Sequence, residues 1–293
     1  MKRHLHLLII DPQNDFCDLP AAYLPAGPAA AAPALPVPGA HADMLRLADL
    51  IRRGGPGLSA ISVTLDSHQR IDVAHTTFWQ DGQGNPVNPF TQITAADLAQ
   101  GRFAPRDPAA LTRVTAYLEQ LEAAGRYNLM VWPTHCEIGS WGHNVHADVR
   151  SAYNGWEEST LRTVTKIVKG TNPWTEHYSA IQAEVPDQDD DSTQMNHGVI
   201  AMLAQADKVY ITGEAGSHCV KATTEHIVDN WDPAQLSKLV LVTDCMSAVS
   251  GFDAQYHGFV AAMRARGVET AQSADVVAAL LDNAQAMEST KIP

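Results

Sequence analysis

The sequence predicts an α/β protein in which a mainly parallel sheet lies between two layers of helices. Short apolar runs alternate along the chain with segments of helical periodicity, as is typical of parallel sheets covered on both faces. The first run, HLHLLIID at 4–11, is almost continuously apolar, as expected of a strand buried on both sides. Hydrophobic residues make up 45% of the 293 residues, which is enough for a large core.

The expected elements follow one another in the order that this fold class requires. Apolar residues recur at helical spacing between Met44 and Ile51, and this segment ends at Gly54. The other runs are interpreted in the same way. Strands are expected at 4–11, 58–66, 127–132, 163–169, 208–212 and 238–244, and helices at 43–53, 141–153, 193–205, 217–230, 253–267 and 273–284.

Two stretches interrupt this alternation and are expected to be long loop insertions in a single domain spanning 1–293. Residues 18–40 are crowded with alanine and proline, which disfavours a helix and predicts an extended surface excursion. Residues 80–126 are expected to form a loop rich in Gln, Asn and Gly and one helix, with Asp107 as its N-cap. Both insertions are candidates for shaping the entrance to a site or for building a subunit interface.

Charge, hydropathy and cysteine spacing exclude several classes of protein. A formal net charge of −13 argues against a nucleic-acid partner, and no apolar run approaches the roughly 20 residues that span a bilayer. The basic, apolar start resembles a signal peptide only superficially, because Asp11 interrupts it. Four scattered cysteines form neither a disulfide framework nor a zinc knuckle. A cytoplasmic protein with reduced cysteines is therefore expected.

Ionisable or aromatic residues stand at or just after the ends of five predicted strands. In open parallel sheets, functional groups gather beyond the carboxyl ends of the strands. Each residue alone could be a turn residue, a helix cap or a solvated lysine, but together they predict a functional site. They are Asp11, Asp66, Trp132 with His135, Lys169 and Cys219.

Cys219 is the candidate nucleophile of this site. It lies at a predicted helix start, where unpaired backbone N–H groups and the helix dipole favour a thiolate and could hold the oxygen of a tetrahedral intermediate. Asp11 can accept the thiol proton, and Lys169 can stabilise the anion. The adjacent His218 is expected to be a pocket-wall or surface residue rather than the base, because consecutive side chains of a helix diverge.

A second cluster has the residue types of a metal site. Asp66 and His68 have the alternate spacing that puts two side chains on one side of a strand. His75 follows seven residues later, and His135 is expected to approach from the neighbouring strand of the sheet. A carboxylate with imidazoles suits Zn²⁺, Fe²⁺ or Mn²⁺, with further positions open to water or a ligand.

Five motifs, in order along the chain, resemble those of the isochorismatase-like cysteine hydrolases, and within them the nicotinamidase/pyrazinamidase branch. The resemblance covers residues 4 to about 250, with interruptions, and implies the isochorismatase-like hydrolase fold and a homo-oligomer. Gly216-Ser217 departs from the family's usual Thr-Asp pair. The motifs are IIDPQNDF (9–16), TLDSH (64–68), WPTHC (132–136), IVKG (167–170) with YSA (178–180), and GEAGSHCV (213–220).

The resemblance also implies a role for each matched residue. A cis bond between Glu214 and Ala215 would turn the Ala215 N–H, together with that of Cys219, toward an oxyanion. The implied reaction is hydrolysis of a small carboxamide such as nicotinamide through a thioester, with a divalent metal, zinc first and iron or manganese next, holding the ring nitrogen or a water. The implied catalytic triad is Asp11, Lys169 and Cys219; the metal ligands are Asp66, His68, His135 and His75; and the residues that pack against the substrate ring are Phe16 and Trp132.

Three alternatives remain open at this point. One is a related amidase for a non-aromatic ureido or maleamate-type amide, which the D-x-H…H set and Trp132 disfavour. Another is a metallohydrolase in which metal-bound water attacks and Cys219 is incidental. The third is a non-catalytic binding or scaffold protein, against which the joint presence of Asp11, Lys169 and Cys219 argues.

Overall fold

The computed structural model describes residues 2–26 and 31–286. The strands are β1 Leu5–Ile10, β2 Ala60–Asp66, β3 Trp79–Asp81, β4 Thr91–Ile93, β5 Phe103–Pro105, β6 Leu129–Val131, β7 Thr165–Lys169, β8 Lys208–Gly213, β9 Leu239–Val242 and β10 Glu269–Ala271. The α-helices are α1 Ala40–Gly54, α2 Ala95–Ala99, α3 Leu111–Ala124, α4 Ala147–Thr160, α5 His197–Ala204, α6 Cys219–Asp229, α7 Asp253–Arg266 and α8 Ser273–Gln285. None of the helices in this described part is long and apolar enough to cross a membrane.

Six of the strands form one parallel sheet in the order β10-β9-β8-β1-β2-β7, so the predicted three-layer α/β/α class is confirmed. β1 is buried along its whole length, which explains its apolar sequence. Helices α1, α4 and α8 pack together, as do α6 and α7.

The register of the central strands brings their carboxyl ends to one edge. Ile10 pairs with Gly213, and Asp66 pairs with Lys169. The residues that end β2 and β7, and those that follow β1 and β8, therefore meet at the same rim. Gly213 has a φ of +118°, and a Cβ there would lie 2.0 Å from the Ile10 carbonyl oxygen, so only glycine allows β8 this close to β1.

The prediction that 127–132 is a strand of the parallel sheet is wrong. β6 pairs antiparallel with β4 in a separate two-stranded sheet. An apolar run shows that a strand is buried but not which strand it pairs with. The short edge strand β10 was not predicted, and α4 begins at Ala147 instead of 141 because His146 caps it through its side chain.

The segment 80–126 contains more structure than the predicted loop and single helix. β3 pairs with β5, β4 pairs with β6, and α2 precedes the predicted helix α3. Asp107 caps a 3-10 turn at Pro108–Ala110 that leads into α3. Thirteen apolar residues between Val73 and Val131 form a hydrophobic cluster separate from the main one. The single domain over 1–293 stays a prediction.

The segment 18–40 is only partly the surface excursion that its prolines predict. A 3-10 turn at Ala21–Tyr23 is followed, after residues 27–30 outside the described part, by the buried Leu35 and Val37. The Asp18 carboxylate accepts hydrogen bonds from the backbone N–H groups of Gly39 and His41 at 2.8 Å each. These bonds satisfy free donors at the start of α1, which begins three residues before the predicted position.

Candidate functional site

Lys169 joins the residues that end the central strands. Its Nζ lies 2.8 Å from Asp66 Oδ1, 3.0 Å from Asp11 Oδ2, 2.9 Å from the His177 carbonyl oxygen and 3.7 Å from Cys219 Sγ. All these side chains are buried. The structure therefore brings Asp11, Lys169 and Cys219 together, as the sequence analysis expected of a catalytic triad.

The electrostatics of the three groups favour a neutral thiol at rest. Burial raises the pKa of the Cys219 thiol well above its usual value; the Lys169 ammonium opposes this rise, and the Asp11 carboxylate adds to it. The helix start does not by itself make this thiol a thiolate at rest, so a proton acceptor such as Asp11 is needed. Burial also raises the pKa of Asp11, against the effect of Lys169, which makes this carboxyl a better proton acceptor.

Two backbone N–H groups beside the thiol have no hydrogen-bond acceptor among residues 2–26 and 31–286. They belong to Ala215 and to Cys219, the first residue of α6. The Ala215 carbonyl accepts from His218 N at 3.0 Å and Val220 N at 3.2 Å, which fixes the turn. The Glu214–Ala215 bond is cis, as the resemblance implied. Two free donors at a helix start suit a developing oxyanion.

Three imidazoles and one carboxylate form the second cluster. The nitrogens of His68, His75 and His135 that could bind a metal lie within 4.8 Å of one another, and all three rings are buried. Asp66 Oδ2 lies 3.1 Å from His68 Nε2 and 3.3 Å from His135 Nε2. His75 Nε2 lies 3.2 Å from His135 Nδ1. This donor set fits a divalent metal such as zinc, so all four predicted ligands are together.

Asp66 couples the two clusters, because one of its oxygens contacts Lys169 and the other contacts the histidines. Burial opposes the ionisation of Asp66, but His68 and Lys169 overcome it and hold the pKa of Asp66 well below its usual value. Burial likewise opposes protonation of His68, yet the carboxylates of Asp66 and Asp72 raise the pKa of its ring well above the usual value. The two carboxylates beside the His68 ring stabilise positive charge at this position.

His135 reaches the cluster by a different route from the predicted one. The chain after β6 runs beside the loop after β2, where Trp132 N donates to the Ala74 carbonyl at 2.7 Å and His68 N donates to the Cys136 carbonyl at 3.0 Å. These loop-to-loop bonds replace the predicted neighbouring strand of the parallel sheet. The prediction that His135 and His68 lie together is right, although its reason is wrong.

The PQND segment after β1 holds both clusters in place. The Gln13 side-chain amide donates to Asp66 O and accepts from Asp66 N, both at 2.8 Å. Asp15 accepts from Cys136 N at 2.7 Å and from Ala34 N at 3.0 Å. These side chains thus fix the backbone of a predicted ligand, of the loop after His135 and of the proline-rich segment.

A small cavity of about 20 Å³ lies beside the thiol. Its lining includes the predicted ring-packing residues Phe16 and Trp132, together with Cys219, Ala215, Asp66 and His135. Leu35 of the proline-rich segment lines it as well, and Phe90 of the second insertion packs edge-on against Trp132 at 5.8 Å between ring centroids. Both insertions therefore contribute to the cavity wall or support it.

Sequence patterns missed several other residues of this wall. Glu176 and Tyr178 line the cavity from the loop after β7, and Val249 lines it from the loop after β9. Burial raises the pKa of Glu176, whose Oε2 is buried without a hydrogen-bond partner among the described residues. These residues lie in loops without periodicity, and only the match of YSA to a family motif drew attention to this region.

No family model and no curated protein matches the chain. Several solved structures are similar to it in fold. A nicotinamidase/pyrazinamidase from Acinetobacter baumanii is 19% identical with a TM-score of 0.59, over 94% of this chain and 98% of that one. A yeast nicotinamidase is 18% identical with a TM-score of 0.60, over 91% and 98%. A pyrazinamidase from Pyrococcus horikoshii, solved in complex with zinc, is 17% identical with a TM-score of 0.53, over 92% and 99%. The chain thus has the fold of these amidases, and the expected isochorismatase-like fold is confirmed.

Proposed function

We propose that the protein is a metal-assisted cysteine amidohydrolase that converts a small carboxamide, with nicotinamide as the first candidate, into the carboxylic acid and ammonia. The observation that carries this proposal is the meeting of three buried groups beside the cavity: Cys219 Sγ lies 3.7 Å from Lys169 Nζ, which lies 3.0 Å from Asp11 Oδ2. The shared fold with nicotinamidases and pyrazinamidases supports it.

In the first half of the reaction, Cys219 Sγ attacks the carboxamide carbon while Asp11 takes the thiol proton. Because the pKa of the buried thiol is raised, the proton leaves as the bond forms instead of beforehand. The N–H groups of Ala215 and Cys219 bind the oxyanion. Asp11 then returns the proton to the amide nitrogen, the C–N bond breaks, and ammonia leaves a thioester on Cys219.

In the second half, water attacks the thioester carbon and passes a proton to Asp11. The carbon–sulfur bond breaks, the sulfur regains a proton from Asp11, and the acid leaves. Lys169 stays protonated throughout, because Asp11, Asp66 and Cys219 raise the pKa of this ammonium against the effect of burial. It stabilises negative charge on whichever of the carboxylate and the sulfur carries it.

His68, His75, His135 and Asp66 would hold the metal. A divalent ion bound by these residues would supply an electrophilic centre that orients an acceptor atom of the ring or a water. Phe16 and Trp132 would pack against the ring, since both line the cavity. Asp66 would balance the charge of the metal on one side and of Lys169 on the other.

An ammonia-release assay tests the proposal. The purified protein is incubated with nicotinamide, a ureido compound, maleamate and an aliphatic amide, and the Cys219→Ala variant is the control for contaminating amidases. We expect turnover of the ring amide and a loss of at least about 10³-fold in the variant. If no amide releases ammonia, the scaffold alternative is supported. Substantial activity of Cys219→Ala would contradict the thioester route.

Alkylation with iodoacetamide separates the thiol mechanism from attack by metal-bound water. Modification of Cys219, identified by mass spectrometry, is expected to abolish turnover while the metal content measured by elemental analysis stays constant. Retained activity in the fully alkylated, metal-loaded protein would favour the metal-water mechanism instead.

A further inference from the structure

His218 lies on the cavity wall immediately before Cys219, and the proposed reaction does not use its side chain. The residue is 7% exposed and lines the same cavity as the thiol. Burial lowers the pKa of its ring to about 4. At neutral pH the ring is therefore uncharged, with one nitrogen carrying a hydrogen and the other accepting.

The hydrogen bonds around Ser217 indicate which nitrogen carries the hydrogen. Val249 N donates to Ser217 Oγ at 3.0 Å, so this N–H occupies one lone pair of the hydroxyl. Ser217 Oγ lies 2.9 Å from His218 Nδ1, and no other acceptor in the described part of the chain is within reach of the hydroxyl hydrogen. We therefore assign Ser217 as the donor to Nδ1, which places the hydrogen of the ring on Nε2.

The Nε2–H donor has no hydrogen-bond partner among residues 2–26 and 31–286. Three aromatic rings hold the imidazole in place, with ring centroids 4.7 Å away for Phe252, 5.2 Å for Trp132 and 5.4 Å for Tyr178. None of these contacts uses Nε2 in a conventional hydrogen bond. The wall of the cavity thus contains a neutral, oriented donor without a protein acceptor.

We propose that His218 is a specificity-determining residue that donates a hydrogen bond from Nε2 to an acceptor atom on the ring of the substrate, outside the scissile carboxamide. This inference rests on the proposed amidase function and narrows it to ring carboxamides that carry a hydrogen-bond acceptor. A carbocyclic amide of the same shape would leave this donor without an acceptor on the ligand, and that loss discriminates between otherwise similar ligands.

Matched pairs of amides test the role of this donor. Benzamide has no ring acceptor, nicotinamide has one, and pyrazine-2-, pyrimidine-5- and pyridazine-4-carboxamide keep the nicotinamide nitrogen and add a second at different positions. We compare kcat/KM ratios within each pair for the native protein, for His218→Phe, which keeps an aromatic ring without a donor, and for His218→Gln, which keeps a donor.

In at least one pair, His218→Phe is expected to reduce the preference for the nitrogen-bearing ring about tenfold, and His218→Gln is expected to restore part of it. The pair that responds identifies the ring position that faces His218. If His218→Phe changes kcat/KM for every amide by the same factor, the residue only fills space and the inference fails.

Two measurements keep this inference separate from the proposed function. Should the native protein hydrolyse no amide, the proposed function fails, and calorimetric binding of nicotinamide and benzamide to the Cys219→Ala protein, with and without His218→Phe, still reports on the donor. A long-range ¹H–¹⁵N spectrum gives the tautomer directly: a hydrogen on Nε2 is expected in the native protein and a mixture in Ser217→Ala, whereas a hydrogen on Nδ1 in the native protein would overturn the assignment.

Discussion

The floor of the cavity and its walls are built in different ways. The floor consists of residues at the ends of the central strands: Asp66 and Cys219 line the cavity, and Asp11 and Lys169 are buried next to them. The Lys169 ammonium lies within 4 Å of the other three side chains. The walls come from loops and insertions, including Leu35. The sheet therefore fixes the reactive groups in relation to one another, while the walls can differ without moving them. We expect the floor to determine whether a reaction occurs and the walls to determine on which amide.

Replacement of Asp11 by Asn should give the largest effect. The isosteric amide cannot take the thiol proton, so turnover should fall about 10³-fold, within the range of general acid–base catalysis. The carboxylate charge that raises the pKa of Cys219 is lost as well, so the thiol should ionise more readily. We expect iodoacetamide to modify Cys219 faster at pH 7 in Asp11→Asn than in the native protein, although the variant is nearly inactive.

Lys169→Met is the counterpart of this variant and should alter the alkylation rate in the opposite direction. It removes the Lys169 ammonium, which lowers the pKa of the thiol, so labelling of Cys219 should slow while turnover also falls. Circular dichroism checks that each variant is folded. Equal labelling rates in the native protein and both folded variants would show that the three groups do not act as one electrostatic unit.

His135→Ala should have the next largest effect, on metal content. The variant removes one of the three histidines whose ligand nitrogens lie within 4.8 Å of one another, and loss of a ligand weakens a metal site severely. Elemental analysis after dialysis should show about one divalent ion in the native protein and much less in the variant. His257→Ala, which removes an exposed histidine outside the cluster, is the control; equal metal contents in all three proteins would contradict the assignment.

The floor could be predicted from sequence because one rule places its residues. Strands of a parallel sheet have their carboxyl ends at one edge, so Asp11, Asp66, Lys169 and Cys219 could be brought together from the positions of four apolar runs. The resting protonation state of Cys219 could not be predicted from sequence, because it depends on burial and on two neighbouring charges.

The walls could not be predicted because no periodicity relates loop residues to the sheet. The run 127–132 is apolar enough for the central sheet, yet its hydrogen-bond partner is β4 of the second insertion. Leu35 lies in a stretch whose prolines indicate only that it is not a helix. Its burial depends on Asp15, which binds the backbone of Ala34, and on the Leu35 N–H bond to the Asp15 carbonyl. Such contacts between distant segments are visible only in the fold.

A wall variant should change substrate binding more than chemistry. Leu35→Ala removes apolar surface from the cavity without contact to the reactive groups of the floor, so KM for the preferred ring amide should rise about 5- to 10-fold while kcat changes little. Leu45→Ala, on the exposed face of α1, is the matched control. A loss confined to kcat in Leu35→Ala would show that floor and wall are coupled after all.

Glu214→Gln should give a smaller effect, on the stability of the protein and not on turnover. Glu214 precedes the free N–H of Ala215, is fully buried, and accepts a hydrogen bond from Ser247 N at 3.2 Å. Burial and then the nearby Asp43 carboxylate raise its pKa well above the usual 4.5. The folded protein therefore keeps this carboxyl neutral at a pH where the unfolded chain has released the proton.

The sign of the pH effect follows from linkage. Above about pH 4.5, unfolding releases the Glu214 proton, so this group makes the free energy of unfolding fall as pH rises, by at most about 1.4 kcal/mol per pH unit, until the folded-state pKa is reached. Glutamine does not titrate and keeps a neutral donor beside Asp43. The difference in stability between Glu214→Gln and the native protein should therefore grow in favour of the variant between pH 5 and pH 8, as measured by urea unfolding at several pH values. Glu158→Gln, which changes an exposed carboxyl on α4, is the control and should show no such trend. If the difference for Glu214→Gln is instead constant with pH, Glu214 is ionised in the folded protein, and the turn that contains Glu214 and Ala215 carries a buried negative charge.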